Sequence, residues 1–478
     1  MMPDQPLGAR QAAFEKGLLP IVRIADEDTR WTVDERLAHY KCPAVGVAAI
    51  KDGRLDWAAG YGVRGREDPR PVNADTIFML ASCSKPVCAM VVLQQVERGL
   101  VDLDVDVNKY LKRWQIPQNE FTSGETVTLR RMLSHTAGLS INGWPVIPHG
   151  GQIPTIYDIL EGRPPSIHPA VVVNKPPGGT HRYSGGGFLL AEMLIEDQTG
   201  RKFDELADEL IFGPLGMANT TFTHPLPERL RGNVAGGHRM DGSAIPGGWM
   251  ISVDKGAGGI MGSAADFATF QIACRDAWLG KPGAILTQSL AKEMMTPQAN
   301  STFGLGWGLS GSGATLRFRH GGSNDGYQSE TTCYLESGDG GVAITNAVSG
   351  IFLYNEVLNG LADLYDWPGY LPPPRRARPL TVAEQERYIG TYTIVSGVEM
   401  PYLRIWRDGG RLLSDIPGMR VGIRETFIDE DGIMFNRMQP SGTQVTYGAD
   451  GRANELLSVR ADGTPMIRAV RTTDSLHA

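Results

Sequence analysis

Long apolar runs are missing from this chain. No uninterrupted hydrophobic stretch reaches the roughly 20 residues that cross a bilayer. Met1 to Pro20 holds no continuous apolar segment of signal-peptide length. These absences predict a cytoplasmic protein with no membrane partner. Cysteine is scarce. Cys42, Cys83, Cys88, Cys274 and Cys333 form an odd, scattered set without C-x-x-C spacing, which predicts free thiols and no metal site. Basic blocks are absent as well. With 46 Lys and Arg against 53 Asp and Glu, the net charge of -7 offers no footprint for nucleic acid.

What remains is an ordinary globular composition. At 478 residues and 41% hydrophobic, the chain can build one large core and a smaller second one. Residues 31–41 read as a helix, Ala44 to Ile50 as a buried strand, and Asp52-Gly53 as the turn of a hairpin into Leu55–Tyr61. Helices are expected over Pro86 to Val101, ended by Gly99, over Val127 to Ser134, and over Gly187 to Gln198 with Gly200 as its stop. Arg317 to His320, Gln328 to Glu336 and Gly341 to Asn346 read as strands.

The segment Pro372-Pro373-Pro374-Arg375-Arg376-Ala377-Arg378-Pro379 reads as a stiff polar linker. It divides the chain into residues 1–371, a linker at 372–380 and a C-terminal domain at 381–478. Beyond it, short alternating runs are separated by Asp408-Gly409, Asp431-Gly432, Asp450-Gly451 and Asp462-Gly463. Repeated Asp-Gly hairpin turns predict a small antiparallel barrel or sandwich.

Three segments carry chemistry. In Ser82-Cys83-Ser84-Lys85, a hydroxyl and an amine stand three residues apart where an apolar segment turns into a helix, so the side chains share a face. Serine is a poor nucleophile until a base takes its proton, and a desolvated lysine can be that base. Ser82 at the helix start would also place backbone N–H groups near a developing oxyanion. In His181-Arg182-Tyr183-Ser184-Gly185-Gly186-Gly187, a tyrosine flanked by glycines could lean over a pocket and relay a proton. In His320-Gly321-Gly322-Ser323, two glycines at a strand end would let a substrate lie along the edge, with the Ser323 N–H as a second oxyanion donor.

In order and spacing these segments resemble the serine β-lactamase-like hydrolases, which include class C β-lactamases, D-alanyl-D-alanine carboxypeptidases, D-aminopeptidases, D-amino acid amidases and esterases. Thr128 to Leu139, Pro214-Leu215-Gly216-Met217, Gly258 to Asp266 and Phe303 to Leu309 support the likeness over most of the first 360 residues. The resemblance implies an α+β fold of the β-lactamase/transpeptidase type, an antiparallel sheet flanked by helices plus an all-helical region, followed by a lipocalin-like barrel. It implies Ser82 as the acylated residue, Lys85 and Tyr183 as general base and acid, and the backbone of Ser82 and Ser323 as the oxyanion hole. His320, Gly321, Gly322 and Gly185 would bind substrate. His135 and Asp266 fall in family phrases as a turn stabiliser and a helix cap. No metal or organic cofactor is required, and no G-x-S-x-G elbow offers another route to the same chemistry.

Two departures steer the substrate class. The family's Tyr-x-Asn is here Tyr183-Ser184-Gly185, which removes an amide that grips acylamides. His320 stands where most β-lactamases have a lysine, and a neutral imidazole holds a carboxylate less well. The expected function is a serine hydrolase of small carboxylic esters, with amides possible. A D-aminopeptidase or D-amino acid amidase, an acyltransferase, a weak β-lactamase and a non-catalytic binding module are the alternatives.

Overall fold

The computed structural model describes residues 7–143, 147, 149–417, 422–460 and 462–473. The chain divides into two compact units. One comprises residues 1–11, 41–354 and 365–369, the other residues 12–40, 355–364 and 370–478.

The first unit is built on an all-antiparallel sheet. Its strands are β1 (Ala44–Lys51), β2 (Arg54–Gly62), and, after the separate β3 (Phe78–Ala81) and β4 (Ile260–Gly262), β5 (Gly308–Ser310), β6 (Arg317–Asn324), β7 (Tyr327–Tyr334) and β8 (Gly340–Thr345). The spatial order is β2-β1-β8-β7-β6-β5, with β3 paired to β4 alone. The β1–β2 hairpin closes through Asp52 at φ 52° and Gly53 at φ 72°, the two left-handed residues that such a turn requires. β1 is buried along both faces except at Lys51, which explains its continuous apolar reading.

Helices cover the sheet and build the rest of this unit. They include α1 (Ser84–Glu97), α2 (Leu129–Leu133), α3 (Gly185–Thr199) and α4 (Ala264–Leu279). Thr128 caps α2 and Ser184 caps α3, each accepting a backbone N–H of the first turn, and α3 ends on Gly200 at φ 69°. α1 begins two residues before the expected Pro86, so Ser82 precedes the helix instead of opening it. α4 is capped by Ser263. Asp266, expected to cap, instead accepts the Asn219 N–H and the Thr220 hydroxyl and ties down that loop.

The second unit holds a closed barrel. β9 (Gly390–Ser396), β10 (Tyr402–Asp408), β11 (Arg411–Asp415), β12 (Arg424–Ile428), β13 (Met434–Asn436), β14 (Gln439–Tyr447), β15 (Ala453–Val459) and β16 (Pro465–Thr473) close by pairing β16 with β9. Gly409, Gly432, Gly451 and Gly463, the glycines of the four Asp-Gly signals, all have positive φ and lie between successive barrel strands. The Pro/Arg segment is pinned within this unit. Arg375 bonds through its N–H to Arg23 and pairs with Asp429 at 2.6 Å, and the Arg378 N–H reaches Ile428.

All five cysteines are buried and free. Among the described residues, no helix is long and apolar enough to cross a membrane.

Candidate active site

Ala81, the last residue of β3, takes a left-handed backbone at φ 50°. Alanine pays for that conformation, and here it turns the chain so that half-buried Ser82 faces a cavity while the strand becomes a helix. Ser84 latches the turn. Its hydroxyl donates to the Ala81 carbonyl at 2.6 Å and accepts the Ile260 N–H at 2.9 Å. One helical turn after the serine, Lys85 is buried to 2% exposure. Its Nζ lies 3.0 Å from Ser82 Oγ and donates to the Ala257 carbonyl at 2.6 Å. The i, i+3 pair expected from sequence is therefore formed, with the amine fixed by a second bond.

Tyr183 arrives on the loop before α3. Its ring centroid stands 4.8 Å from Lys85 Nζ. His135 positions it from beneath, with the two rings 4.2 Å apart and tilted by 31°. His135 has φ 61°, its carbonyl accepts the Arg182 N–H, and its Nδ1 accepts the Ser184 N–H at 3.1 Å. It thus binds the backbone on both sides of Tyr183. Burial, reinforced by Lys85, holds this imidazole neutral, well below its usual pKa. Sequence reasoning gave His135 a role in its own turn. Its contact with Tyr183 depends on a residue 48 positions away.

The third segment lies within a strand, not at a strand end. β6 continues through Asn324, and its glycines serve close packing. A Cβ on Gly322 would stand 2.0 Å from the Leu80 carbonyl oxygen of β3, and one on Gly321 2.7 Å from Glu330 Oε2. His320 is buried, and its Nδ1 donates to the Gly321 carbonyl at 2.7 Å. Burial, with Lys85 adding to it, pushes the His320 pKa down to about 3. Cys83, beside Ser82, packs under the strand. Burial lifts its thiol to about 12, and its Sγ lies 3.4 Å from the His320 carbonyl.

Ser82, Tyr183, His320, Gly321, Gly322 and Ser323 line one cavity of about 550 Å³. Gly185 does not. It is buried, and its N–H bonds to the Ile141 and Asn142 carbonyls. Asn142 lines the cavity instead and brings an amide from another loop. Phe303, Arg319, Ile351 and Tyr354 complete features that sequence reasoning did not assign to the site. The Arg319 guanidinium is engaged by Glu330 at 3.1 and 2.9 Å. The Gly- and Pro-rich stretch Asn142–Pro176 and the stretch Gly236–Ile260 with Trp249 and Met250 are expected from sequence to border the cleft. Asn142 lines it, Trp249 and Met250 do not, and residues 144–146 and 148 lie outside the described residues.

A serine with a buried lysine three residues on, facing a cleft beside an antiparallel strand, is an arrangement that can support nucleophilic acyl transfer. Residues 30–358 match the family model described as Beta-lactamase, and the chain belongs to that family, a group of serine hydrolases with esterase, carboxypeptidase and amidase relatives. It is 27% identical over 265 residues to the putative penicillin-binding protein PbpX of Bacillus subtilis (strain 168), covering 54% of this chain and 60% of that protein. It is 31% identical over 196 residues to esterase EstB of Burkholderia gladioli, covering 39% of this chain and 49% of that one. The matches thus span about half to three fifths of those relatives. The octameric penicillin-binding protein homologue from Pyrococcus abyssi shares the fold at a TM-score of 0.61 and 20% identity, over 92% of this chain and 98% of that one. The D-amino acid amidase of Ochrobactrum anthropi SV3 does so at 0.57 and 23%, over 74% and 99%.

Proposed function

We propose that this protein hydrolyses small, neutral carboxylic esters through an acyl-enzyme on Ser82. Lys85, with Tyr183, takes the Ser82 proton as Oγ attacks the carbonyl carbon. The backbone N–H groups of Ser82 and Ser323 hold the tetrahedral oxyanion. The proton passes to the leaving alcohol as the ester C–O bond breaks. Water, deprotonated by the same pair, then attacks the acyl-serine, frees the acid and restores Ser82.

The observation that carries the ester reading is the cavity's poverty in usable charge. Among the described residues no aspartate or glutamate lines it to hold the ammonium of a D-amino acid derivative. Arg319, the one lining cation among the described residues, is already engaged by Glu330, and His320 is neutral. A substrate without formal charge loses least on entering such a site. The esterase relative agrees with this reading.

The test is a panel of a short-chain p-nitrophenyl ester, a D-amino acid p-nitroanilide and nitrocefin, with wild type and Ser82→Ala. Ester turnover that vanishes in the variant, with little activity on the others, is expected. Preferred cleavage of the D-anilide would overturn the ester assignment while keeping the Ser82 chemistry.

A further inference from the structure

The barrel contains a buried cation, Arg424, with Asp415 nearby to attract it but, among the described residues, no hydrogen-bond partner for two of its nitrogens. Arg424 opens β12, where Arg424, Thr426 and Ile428 alternate inward. It is only 8% exposed. Its Nε and Nη2 are buried with no hydrogen-bond partner. Asp415, on the neighbouring strand, is held by Arg404 through bonds of 3.1 and 2.8 Å. Folds seldom keep an unpaired ion away from water, because nothing replaces the lost hydration. Burial here pulls the guanidinium below its ordinary pKa.

Arg424 lines a cavity of about 60 Å³ inside the barrel. One water needs roughly 10–15 Å³ by this kind of measure, so the space suits a few waters or one small organic group. The lining is mixed. Ser414, Thr443 and Ser458 contribute hydroxyls, and Leu403, Met434 and Leu456 an aliphatic surface.

We propose that the barrel interior binds a small monocarboxylate with a short aliphatic chain, its carboxylate on the Arg424 guanidinium and its chain against Leu403, Met434 and Leu456. A guanidinium presents paired donors that match a carboxylate. One positive charge balances a monoanion but leaves a phosphate dianion half compensated. The aliphatic part of the lining rewards a short alkyl chain, and the volume excludes a long one. This site is independent of the chemistry at Ser82.

The experiment uses the full chain, titrated with sodium butyrate, chloride or phosphate at matched ionic strength, and read by calorimetry and thermal unfolding. Wild type should show one saturable butyrate site and a rise in Tm of a few degrees, with neither from chloride or phosphate. Arg424→Met should lose the butyrate response and, having shed an unpaired ion, should melt no lower than wild type without ligand. Arg424→Lys keeps the charge but not the fork, and should bind butyrate about tenfold more weakly. No butyrate binding by wild type would overturn the proposal, as would a response that survives Arg424→Met. An equal response to phosphate would overturn the carboxylate assignment.

Discussion

Ser82 and Lys85 meet because Ala81 accepts a left-handed backbone and Lys85 is tethered by the Ala257 carbonyl. Tyr183 is held in turn by His135, so we treat His135 as a positioning residue. His135→Asn keeps a residue type that tolerates the left-handed backbone but removes the ring under Tyr183. It should lower kcat about 10- to 100-fold with KM within a few-fold of wild type, as expected for a misplaced catalytic group. Parallel kinetics and melting curves check this, and a change in KM alone would refute it. The two glycines of β6 should also differ. Gly322→Ala drives a Cβ to 2.0 Å from a backbone oxygen, whereas Gly321→Ala closes to 2.7 Å on the end of the Glu330 side chain and stays 3.4 Å from the Ser329 carbonyl oxygen. The first should cost about 1–3 kcal/mol and most of the activity, and the second less, measured by melting and turnover. The Ser-x-x-Lys pair was legible from spacing because it lies within one helical turn. The roles of His135 and of the Arg319–Glu330 pair were not, since each needs a partner brought in by tertiary pairing.

At the scale of elements, α3 carries a buried acid outside the cavity lining. Glu192 accepts the Gly256 N–H at 2.8 Å, and burial lifts its pKa to about 8. Between its ordinary value of 4.5 and about 8, the folded chain holds this proton and the unfolded chain does not, so stability falls as pH rises. Glu192→Gln mimics the neutral acid. Its Tm advantage over wild type should therefore grow from pH 5 to about 8 and then level off. A constant difference across that range would contradict the shift. His320 contributes the opposite slope at lower pH: neutral in the fold down to about 3, it withholds a proton that the unfolded chain binds below 6.5. The hairpin β1–β2 and the barrel turns could be read directly, because Asp-Gly pairs announce left-handed backbone. The sheet order could not, because β1 also pairs with β8, nearly 300 residues away, and no local signal encodes that partner. The extension of β6 through two glycines was hidden for a related reason. Glycine weakens a strand locally, and only the close approach of β3 shows why it is tolerated there.

At the scale of the whole molecule, the chain's two compact units are not two successive halves of the sequence. Residues 12–40 group with the barrel: Val22 and Ile24 are buried with Phe435, and the Val22 N–H bonds to the Arg437 carbonyl. A chain ending at Leu371 strips those partners from its own N-terminal segment. It should melt several degrees below the full chain, and an unchanged Tm by circular dichroism would contradict this grouping. The barrel was readable as an architecture because its turns are local, whereas the docking of residues 12–40 rests on contacts some 400 residues apart. The central claim about the molecule is that Ser82 becomes acylated. The most direct measurement is rapid-quench intact-mass spectrometry during turnover of a short-chain p-nitrophenyl ester, with peptide mapping. The account predicts one acyl group on the peptide carrying Ser82, absent from Ser82→Ala and accumulating more slowly in Lys85→Ala. An acyl group on another residue, or undiminished turnover by Ser82→Ala, would contradict it.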